Sequence, residues 1–452
     1  MTTYPAELIL DYAKPVPRYT SYPTAPNFSE AVNADTVRGW MAALPGEEAI
    51  SLYLHIPFCD RLCWFCGCHT RHVKRYDPIR AYLEQLYREF EIVAKAIGRR
   101  QPVARLHLGG GSPSLLRAQD LVRLRARLDA NFDILPDAEI SLEFDPTDMD
   151  PEEADRFCAF GVNRASLGVQ DFDPRVQTAI NRPQSFSKTR DIVQALRDGG
   201  VASVNIDALY GLPFQTDDTI RRTLSQVIEL EPERIALFGY AHVPWMKRHQ
   251  RMIETTSLPD TLNRFRQNAV AASALGRAGY RSVGIDHFAL PDDPLAVAAA
   301  NGSLRRNFQG YTADPCATLI GFGTSSISQF EQGFAQNVKT VQAYGRALDA
   351  GEPATERGIA LRDRDRVTAA AIEQLMCRFR IDADTLRTRF GPLADSALRK
   401  AALIAHLDED GLFEADAQGF RVTDLGRPFV RTLASRLDDY LQTDTGRFSV
   451  AV

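Results

Sequence analysis

The 452-residue sequence lacks the features that would assign it to a specialised class of protein. Its first residues contain no basic start followed by a long apolar run, which predicts neither a secretory signal nor a membrane span. Neither sign of charge dominates, because the formal net charge is only −5, so no overall field attracts nucleic acid. Internal repeats and low-complexity tracts are also absent. We expect a cytoplasmic globular protein of two or three domains, or one large barrel with additions.

Cysteine is scarce as well, yet four of the seven cysteines lie within residues 59–68. They follow the pattern C-x3-C-x2-C-x-C and are Cys59, Cys63, Cys66 and Cys68. In a chain without a secretory signal, crowded thiols are metal ligands or catalytic groups more often than disulfides. A structural zinc site would need a fourth ligand, for which His69 or His72 is the nearest companion. The spacing favours three thiolates on a four-iron cluster, which leaves one iron open.

From residue 50 onward, short apolar runs alternate with amphipathic segments. The apolar runs predict strands at residues 50–58, 103–108, 139–144, 164–169, 203–209 and 233–240. The amphipathic segments predict helices at residues 78–97, 119–130, 151–160, 187–198, 217–230 and 262–278. Ser187 and Asp217 are the predicted N-caps of two of these helices. Six strand–helix units in series predict an α/β fold with a parallel sheet or partial barrel and right-handed crossovers.

The chemically distinctive residues follow the ends of the predicted strands. They are the cysteine loop after the first run, residues 109–113 after the second, Glu143 and Asp145 at the third, Gln170 and Asp171 at the fourth, Asp207 and residues 210–213 at the fifth, and residues 240–244 at the sixth. Ligands of parallel α/β folds bind beyond the carboxyl ends of the strands. We therefore expect these residues to converge on one site.

The segments outside the six units have other characters. Residues 1–49 are rich in proline and aromatic residues, which predicts an extended arm packed on the body or, less favoured by the residues alone, a lid over a substrate. Residues 305–312 are basic and aromatic and suit a carboxylated ring. The glycine-rich residues 321–328 predict a loop or tight turn.

From about residue 362 the pattern predicts helices without intervening strands, then a hairpin at residues 412–415 and 419–423 and a helix at 428–440. Helices with a small hairpin resemble a winged-helix module. Acidic residues crowd the hairpin and would repel phosphates; they are Asp408, Glu409, Asp410, Glu414 and Asp416. We predict a structural or capping domain and no nucleic-acid partner.

Several motifs together resemble the oxygen-independent coproporphyrinogen III oxidases, a family of radical S-adenosylmethionine (SAM) oxidoreductases. They are the cysteine loop and residues 17–24, 109–111, 141–143, 167–172, 205–207 and 307–312. The resemblance runs over nearly the whole chain. It implies a partial parallel (β/α)6-type radical SAM barrel at residues 50–361, an N-terminal arm that covers the substrate at 1–49, and a mainly helical C-terminal domain at 362–452.

The resemblance also implies an activity in porphyrin and haem biosynthesis. A 5′-deoxyadenosyl radical from SAM would remove a β-hydrogen from each of two propionates of coproporphyrinogen III, and loss of CO2 would give the vinyl groups of protoporphyrinogen IX. The expected partners are this substrate and a one-electron donor such as a flavodoxin or ferredoxin, with no membrane and with the chain as a monomer. The alternative is a haem-binding, chaperone-like relative that shares the radical SAM core.

Site residues follow from the same resemblance. Cys59, Cys63 and Cys66 would hold one 4Fe–4S cluster, whose fourth iron takes the first of two SAM molecules. The residues implied for that SAM are Tyr53, Gly110, Glu143 and Ile327. Those implied for the second SAM are Phe65, Gly111, Ser112, Gln170, Arg182, Asp207 and Ala241. Tyr53 and Cys68 are expected to take part in catalysis, and Cys68 also distinguishes these oxidases from the haem-chaperone-like relatives.

The residues alone leave some of these roles open. Without the resemblance Arg182 would be interpreted as a surface charge, and Glu143 and Asp207 would be as consistent with structural as with binding roles. The isolated thiols Cys158 and Cys316, like Cys377, are expected to be packing residues.

Overall fold

The structure is a computed structural model that describes residues 4–441 and 448–451. The ends of the predicted arm and C-terminal domain, residues 1–3, 442–447 and 452, lie outside the described residues. The helices are α1 (Ala6–Tyr12), α2 (Ala34–Ala42), α3 (Asp77–Ile97), α4 (Ala118–Asn131), α5 (Ala154–Phe160), α6 (Pro174–Ala179), α7 (Phe186–Asp198), α8 (Asp217–Glu229), α9 (Thr261–Arg277), α10 (Pro294–Asn301), α11 (Val341–Asp349), α12 (Asp363–Arg378), α13 (Ala383–Phe390), α14 (Ala394–His406) and α15 (Val430–Ser435).

Strands of the same described region lie mostly between these helices. They are β1 (Ile50–Ile56), β2 (Phe58–Cys59), β3 (Arg71–His72), β4 (Pro102–Gly110), β5 (Asp133–Phe144), β6 (Arg164–Gln170), β7 (Ser203–Tyr210), β8 (Arg234–Gly239), β9 (Arg281–Val283), β10 (His287–Ala289), β11 (Arg305–Asn307), β12 (Gly310–Thr312), β13 (Leu319–Phe322), β14 (Ile327–Phe330), β15 (Gly333–Asn337), β16 (Thr355–Ala360), β17 (Arg380–Asp382), β18 (Phe413–Asp416) and β19 (Gly419–Val422).

The central sheet has twelve strands in the order β16-β15-β14-β13-β1-β4-β5-β6-β7-β8-β10-β9. Six of these strands lie side by side in the order in which they occur in the chain, and each pairs in parallel with the next: β1, β4, β5, β6, β7 and β8. The predicted α/β fold with six strand–helix units is therefore confirmed. Because β16 and β9 are the edge strands, the sheet is an open, partial barrel.

The glycine-rich segment at residues 321–328 was expected to be a loop or tight turn, and the structure has that turn only at residues 323–326, between two strands. It contains the end of β13 and the start of β14, and only the turn between them is irregular. β13 pairs in parallel with β1 and places Gly321 beside Tyr53. The strand escapes pattern analysis because its apolar run is four residues long and includes a glycine. It extends the parallel part of the sheet on the side of the cysteine loop.

Two predicted helix caps are displaced by one or two residues. The N-cap of α7 is Ser185, whose side chain accepts from Lys188 N–H, and the N-cap of α8 is Thr216, whose side chain accepts from Thr219 N–H. Each of these caps lies just before the predicted one, where the backbone is still extended and the side-chain oxygen reaches the third helical N–H. The helix starts themselves agree with the prediction.

The C-terminal helices do contain a strand, which corrects another expectation. β17 follows α12 and joins the predicted hairpin in a three-stranded sheet of order β17-β19-β18. The helix predicted at 428–440 is also shorter: a 3-10 turn at Arg427–Phe429 precedes α15, which ends at Ser435. Pro428 lies in this turn, directly before α15, and proline is favoured in the first turn of a helix.

The N-terminal segment packs in two different cores. Leu8, Ile9 and Tyr12 of α1 are buried with the C-terminal helices, and Tyr19 and Tyr22 of the extended part join them. α2, in contrast, buries its apolar face in the core of the large sheet. The extended part therefore runs between the two cores, where it can reach a site at the strand ends. The domain boundaries at residues 49 and 361 stay predictions.

One buried acid joins helix α3 to the β13–β15 strands. The Glu89 carboxylate accepts from Tyr344 Oη, from Gly323 N–H at 2.7 Å and from Asn337 Nδ2 at 2.7 Å. Burial raises the pKa of Glu89 from 4.5 to about 7, so the folded state keeps a proton on Glu89 over a pH range in which the unfolded state has released it. The contribution of Glu89 to stability is therefore complete below pH 4.5 and declines as the pH rises through 7.

We expect Glu89→Ala to lower stability by about 3 kcal/mol at pH 5, because three buried donors lose their acceptor. The cost should be smaller at pH 8. Thermal unfolding midpoints at both pH values measure it. Glu91→Ala is the control on the same helix, since Glu91 is 56% exposed and its surface ion pair with Arg127 is worth at most about 1 kcal/mol. Equal shifts for the two variants would contradict the role of Glu89.

None of the helices in the described region is long and apolar enough to span a membrane.

Candidate active site

A cavity of about 220 Å³ lies at the carboxyl ends of the parallel strands β1 and β4 to β7. Twelve of the predicted site residues line it: Cys59, Cys63, Phe65, Cys66, Cys68, Gly110, Gly111, Ser112, Glu143, Gln170, Arg182 and Asp207. The expected convergence of the strand ends is therefore present. Three predicted residues lie outside this lining. Tyr53 lies on β1, Ile327 begins β14, which β13 separates from β1, and Ala241 lines a neighbouring cavity.

The cysteine loop is anchored to the protein through its main-chain carbonyl groups. Asn181 Nδ2 donates to Leu62 O at 2.9 Å, and His249 donates from Nε2 to Cys66 O at 2.7 Å. Phe65 O accepts from another side chain of the same 3-10 turn as His249. Anchoring through carbonyl groups leaves the thiol groups directed into the cavity.

The thiols differ in acidity. Burial raises the pKa of Cys59 to about 12, and burial also raises the pKa of Cys63, although Arg182 opposes the latter shift. A hydrogen bond from Cys68 lowers the pKa of Cys66 to about 6. The same bond raises the pKa of Cys68, which is its donor. Cys66 is thus the thiolate of the pair and Cys68 keeps its proton.

The glycine triplet is explained by close packing around the cavity. A Cβ at Gly109 would lie 2.6 Å from Glu143 Oε1, and one at Gly110 would lie 2.3 Å from the His55 ring. At Gly111 it would lie 2.5 Å from the carbonyl oxygen of Phe58, beside the start of the cysteine loop. Gly110 also has φ of 108°, which side chains rarely adopt. The triplet thus brings the acid and the cysteine loop to one edge of the sheet.

Glu143 is charged at neutral pH. Burial raises the pKa of Glu143, but hydrogen bonds from His107 Nε2 at 3.2 Å and from Gly110 N–H at 2.9 Å outweigh that effect and hold it below the usual value. The second His107 nitrogen accepts from Ser141 Oγ. A charged carboxylate that faces a cavity can accept two hydroxyl donors of a ribose.

Tyr53 on β1 supports Glu143 through His107, which lies on β4 between them. Its ring stacks on His107 at a centroid distance of 5.7 Å. The Tyr53 hydroxyl donates to His55 Nδ1 at 3.0 Å, because His55 Nε2 donates to His69 O at 2.9 Å. Burial lowers the pKa of His55, so this ring is neutral. Tyr53 is therefore a positioning residue in the structure, and its predicted catalytic role stays a prediction.

Asp207 forms a second acidic position two strands away from Glu143. It accepts from Asn205 Nδ2 at 2.7 Å and from Ser166 Oγ at 3.3 Å. Burial, with the nearby charge of Glu143, raises the pKa of Asp207 to about 6. At the end of β6 between them, Gln170 has φ of 68°, an unusual conformation for a residue with a side chain. The backbone therefore changes direction at Gln170, where β6 ends at the cavity.

Arg182 is buried, which corrects the interpretation from the residues alone that it is a surface charge. Its Nη1 lies 2.8 Å from Asp145 Oδ2 and 3.4 Å from Cys63 Sγ, and its Nη2 donates to Gly168 O at 2.5 Å. Nε is buried without a protein partner among the described residues. The guanidinium thus places positive charge against a candidate cluster thiolate.

Sequence analysis missed the residues that hold the loop from behind. Gln250 is buried and donates from Nε2 both to Phe65 O at 3.0 Å and to Ala241 O at 3.1 Å. Lys247 Nζ donates to Cys68 O at 2.9 Å. These are common polar residues about 180 positions from the loop, and nothing in their local pattern signals the contact. They connect the strand end after β8 to the cysteine loop.

The donor set fits an iron–sulfur cluster better than a single ion. Across the described residues, no group of three His, Cys, Asp or Glu side chains is placed to hold one metal ion. Cys59, Cys63 and Cys66 nevertheless line the same cavity. Each thiolate of a cubane cluster binds a different iron, so its ligands surround a volume and do not meet at a point. Three thiols that line one cavity without meeting at a single-ion site fit this arrangement.

Comparisons with known proteins agree with the fold. The profile of the Radical SAM superfamily matches residues 53–227, and that of the HemN C-terminal domain matches residues 361–429. The class is therefore that of the radical SAM proteins.

Full-length relatives narrow the assignment. An oxygen-independent coproporphyrinogen III oxidase of Bradyrhizobium diazoefficiens is 44% identical, covering 99% of this chain and 100% of its own. One of Pseudomonas aeruginosa is 40% identical, covering 98% of each chain. The crystal structure of coproporphyrinogen III oxidase (HemN) from Escherichia coli, described as a radical SAM enzyme, superimposes with a TM-score of 0.90 at 38% identity, over 97% of this chain and 99% of that one. The chain belongs to the family of oxygen-independent coproporphyrinogen III oxidases.

Proposed function

We propose that this protein converts coproporphyrinogen III to protoporphyrinogen IX without oxygen, in haem biosynthesis. The observation that carries the proposal is the cavity in which Cys59, Cys63 and Cys66 lie beside Cys68 and Glu143 at the strand ends, in a chain similar over its whole length to enzymes of that name. Each of two propionates would pass a β-hydrogen atom to the 5′-deoxyadenosyl radical and one electron to an acceptor, and would lose CO2, which leaves a vinyl group. A reducing cytoplasm suits such oxygen-sensitive chemistry.

Membership of the radical SAM superfamily brings a 4Fe–4S cluster and SAM as cofactors. When bound, they supply the one-electron chemistry that removes the hydrogen atom. We assign Cys59, Cys63 and Cys66 as the three cluster ligands. The thiolate character of Cys66 supports this assignment, as does the convergence of all three on one cavity.

We further propose that two SAM molecules bind. Two acids at separate strand ends support this, since Glu143 on β5 and Asp207 on β7 can each accept from a ribose. The predicted first set remains Tyr53, Gly110, Glu143 and Ile327, and the second set Phe65, Gly111, Ser112, Gln170, Arg182, Asp207 and Ala241. Both Nη atoms of Arg182 contact protein groups and Nε is enclosed, so its predicted contact with a SAM carboxylate would need the guanidinium to exchange one of these partners.

Cys68 is the proposed catalytic thiol. It keeps its proton, lines the cavity and is one of the more exposed cysteines of the chain. A substrate held between this thiol and Glu143 would be in contact with both groups. The Cys68 main-chain N–H donates to Cys66 Sγ at 3.4 Å, which fixes the position of Cys68 relative to that proposed cluster ligand.

An acidic one-electron carrier such as a flavodoxin or ferredoxin is the proposed electron donor. β3 pairs with the strand that carries Cys59, and around it Arg71, Lys74 and Arg75 are exposed. A basic surface beside the cysteine loop favours docking of an acidic carrier. A monomer remains the proposed active form.

Anaerobic turnover tests the activity. Reconstituted protein with SAM, a reductant and coproporphyrinogen III should release protoporphyrinogen IX. A fully loaded cluster that cleaves SAM but never decarboxylates this substrate would contradict the proposal. The rival function, haem binding and transfer, would instead show stable one-to-one haem binding without turnover of the porphyrinogen.

Arg182 should tune the cluster. We expect Arg182→Lys to lower the cluster reduction potential by about 60 mV, equivalent to a tenfold change for one electron, because a hydrogen bond to a cluster sulfur is lost. A redox titration of the reconstituted cluster by EPR measures the shift. Arg61→Lys is the control in the same cavity, since Arg61 contacts a main-chain carbonyl of Pro183 and no cluster thiol. The same cluster reduction potential in the wild type and in both variants would exclude tuning by Arg182.

A further inference from the structure

A second cavity, of about 200 Å³, lies beyond the ends of β7 and β8, between the sheet and the C-terminal helices. We call it the arginine cavity because five arginines line it: Arg18, Arg264, Arg306, Arg427 and Arg431. Asp286 is the one acidic side chain among the described residues of the lining. The wall thus carries a large excess of positive charge in a protein whose net charge is −5.

The buried arginines are held by neutral groups. Arg431 is buried and donates to the main-chain oxygens of Val16 at 2.7 Å and Pro17 at 3.4 Å. Arg264 donates to the Tyr240 carbonyl at 2.7 Å. Carbonyl groups satisfy the N–H donors but do not neutralise the charge, and burial lowers the pKa of Arg431 to about 10. A bound anion would relieve this cost.

Asp286 supplies little of the missing negative charge. Its carboxylate is engaged by His287 Nδ1 at 2.6 Å, and Arg306 Nη2 lies 3.9 Å from it. Arg306 has only 4% of its side chain exposed, yet its Nη1 has no partner in the described part of the chain. The Arg18 guanidinium likewise has no acceptor among residues 4–441 and 448–451. Both cations line the cavity, and each has donors without an acceptor among the described residues.

The remaining wall is aromatic. Six rings line the cavity, those of Tyr210, Phe238, Tyr240, Phe265, Phe288 and Phe379. Flat apolar surfaces bind flat rings, and guanidinium groups bind carboxylates through charge-assisted hydrogen bonds. The chemistry of this wall therefore matches a pyrrole ring that carries carboxylate side chains.

The arginine cavity adjoins the cysteine loop. Gln250 joins the two, since it donates to Ala241 O in the wall of one and to Phe65 O in the wall of the other. Arg18 lines the arginine cavity, and Cys68 lines the neighbouring cavity on the other side of this connection. A ligand anchored by Arg18 would thus extend toward Cys68.

We propose that the arginine cavity binds the carboxylates that the reaction leaves unchanged on its tetrapyrrole substrate. This inference rests on the proposed function. Arg18 and Arg306 pair with these carboxylates, a pyrrole ring packs on the aromatic wall, and the reacting propionates are directed toward Cys68. Neither Arg264 nor Arg431 was expected from the sequence to belong to this site.

Binding of coproporphyrin III, the fluorescent oxidised ring with all four carboxylates, tests the proposal on the reconstituted holoprotein. We expect Arg306→Gln and Arg18→Gln to weaken binding at least ~10-fold each, since a hydrogen bond to a charged group is lost. Arg421→Gln is the control, because Arg421 is exposed and pairs with Glu414 on the far hairpin. Cluster absorbance and circular dichroism confirm that the variants are folded.

The carboxylates can also be removed from the ligand. The tetramethyl ester of coproporphyrin III should bind the wild type and Arg306→Gln equally, because it lacks the charge that Arg306 pairs with. With coproporphyrinogen III, KM should rise in Arg306→Gln more than kcat falls. Unchanged coproporphyrin binding in both arginine variants overturns the proposal, even where the enzyme turns over. Binding that depends on the arginines in a protein without turnover would support it and reject the proposed function instead.

Discussion

Cys66→Ala protein will not assemble the 4Fe–4S cluster and will neither cleave SAM nor decarboxylate coproporphyrinogen III. Cys66 is the thiol whose pKa is lowered, to about 6, so it is the thiolate most ready to bind iron. Two remaining thiolates, Cys59 and Cys63, cannot hold a cubane cluster with one open iron. Iron and sulfide content after anaerobic reconstitution measures the loss, against roughly four irons per chain in the wild type.

The matched control for this loss is Cys158→Ala. Cys158 is a half-buried cysteine on α5 whose sulfur packs against Gly199, away from the lining of the cavity. We expect wild-type iron content and turnover in this variant. A Cys66→Ala protein that still binds four irons and cleaves SAM would show that another residue is the third ligand.

Cys68→Ser will keep the cluster and lose most of the turnover, by about 10²-fold. The main-chain N–H of residue 68, which donates to Cys66 Sγ at 3.4 Å, is unchanged, so the geometry of the loop should persist, but a serine hydroxyl has neither the acidity nor the redox reactivity of a thiol. The ultraviolet–visible spectrum of the cluster and the rate of protoporphyrinogen formation, measured on the same preparation, separate the two effects.

Two outcomes would change the assignment of Cys68. Loss of the cluster in Cys68→Ser would make it an iron ligand. Full activity with an intact cluster would reduce it to a neighbour of Cys66 without a part in catalysis. Cys158→Ser serves as the control for a harmless thiol-to-hydroxyl change, because Cys158 lies outside both cavities.

Much of this site could be predicted because its signals are local. The spacing of Cys59, Cys63 and Cys66 is contained in eight residues, and the acids Glu143 and Asp207 follow apolar runs that any strand pattern detects. Parallel topology then brings strand ends to one edge of the sheet. The series of six strand–helix units needed no further information.

Other features depend on contacts that no local pattern encodes. Gln250 holds a loop about 180 residues earlier in the chain, and Arg431 reaches the carbonyl groups of Val16 and Pro17 from the opposite end. Both residue types are usually solvated, so burial and partner become evident only when the chain is folded. β13 was missed for a different reason: four residues interrupted by Gly321 are too short a run to predict a strand.

The most direct test of the proposed activity follows a labelled hydrogen atom. Coproporphyrinogen III deuterated at the β-carbons of its propionates is supplied anaerobically to the reconstituted protein with SAM and reductant. We predict one deuterium in 5′-deoxyadenosine for each vinyl group formed, and two vinyl groups per ring. Vinyl formation with unlabelled 5′-deoxyadenosine, or cleavage of SAM by an intact cluster without any vinyl formation, would contradict the proposed function.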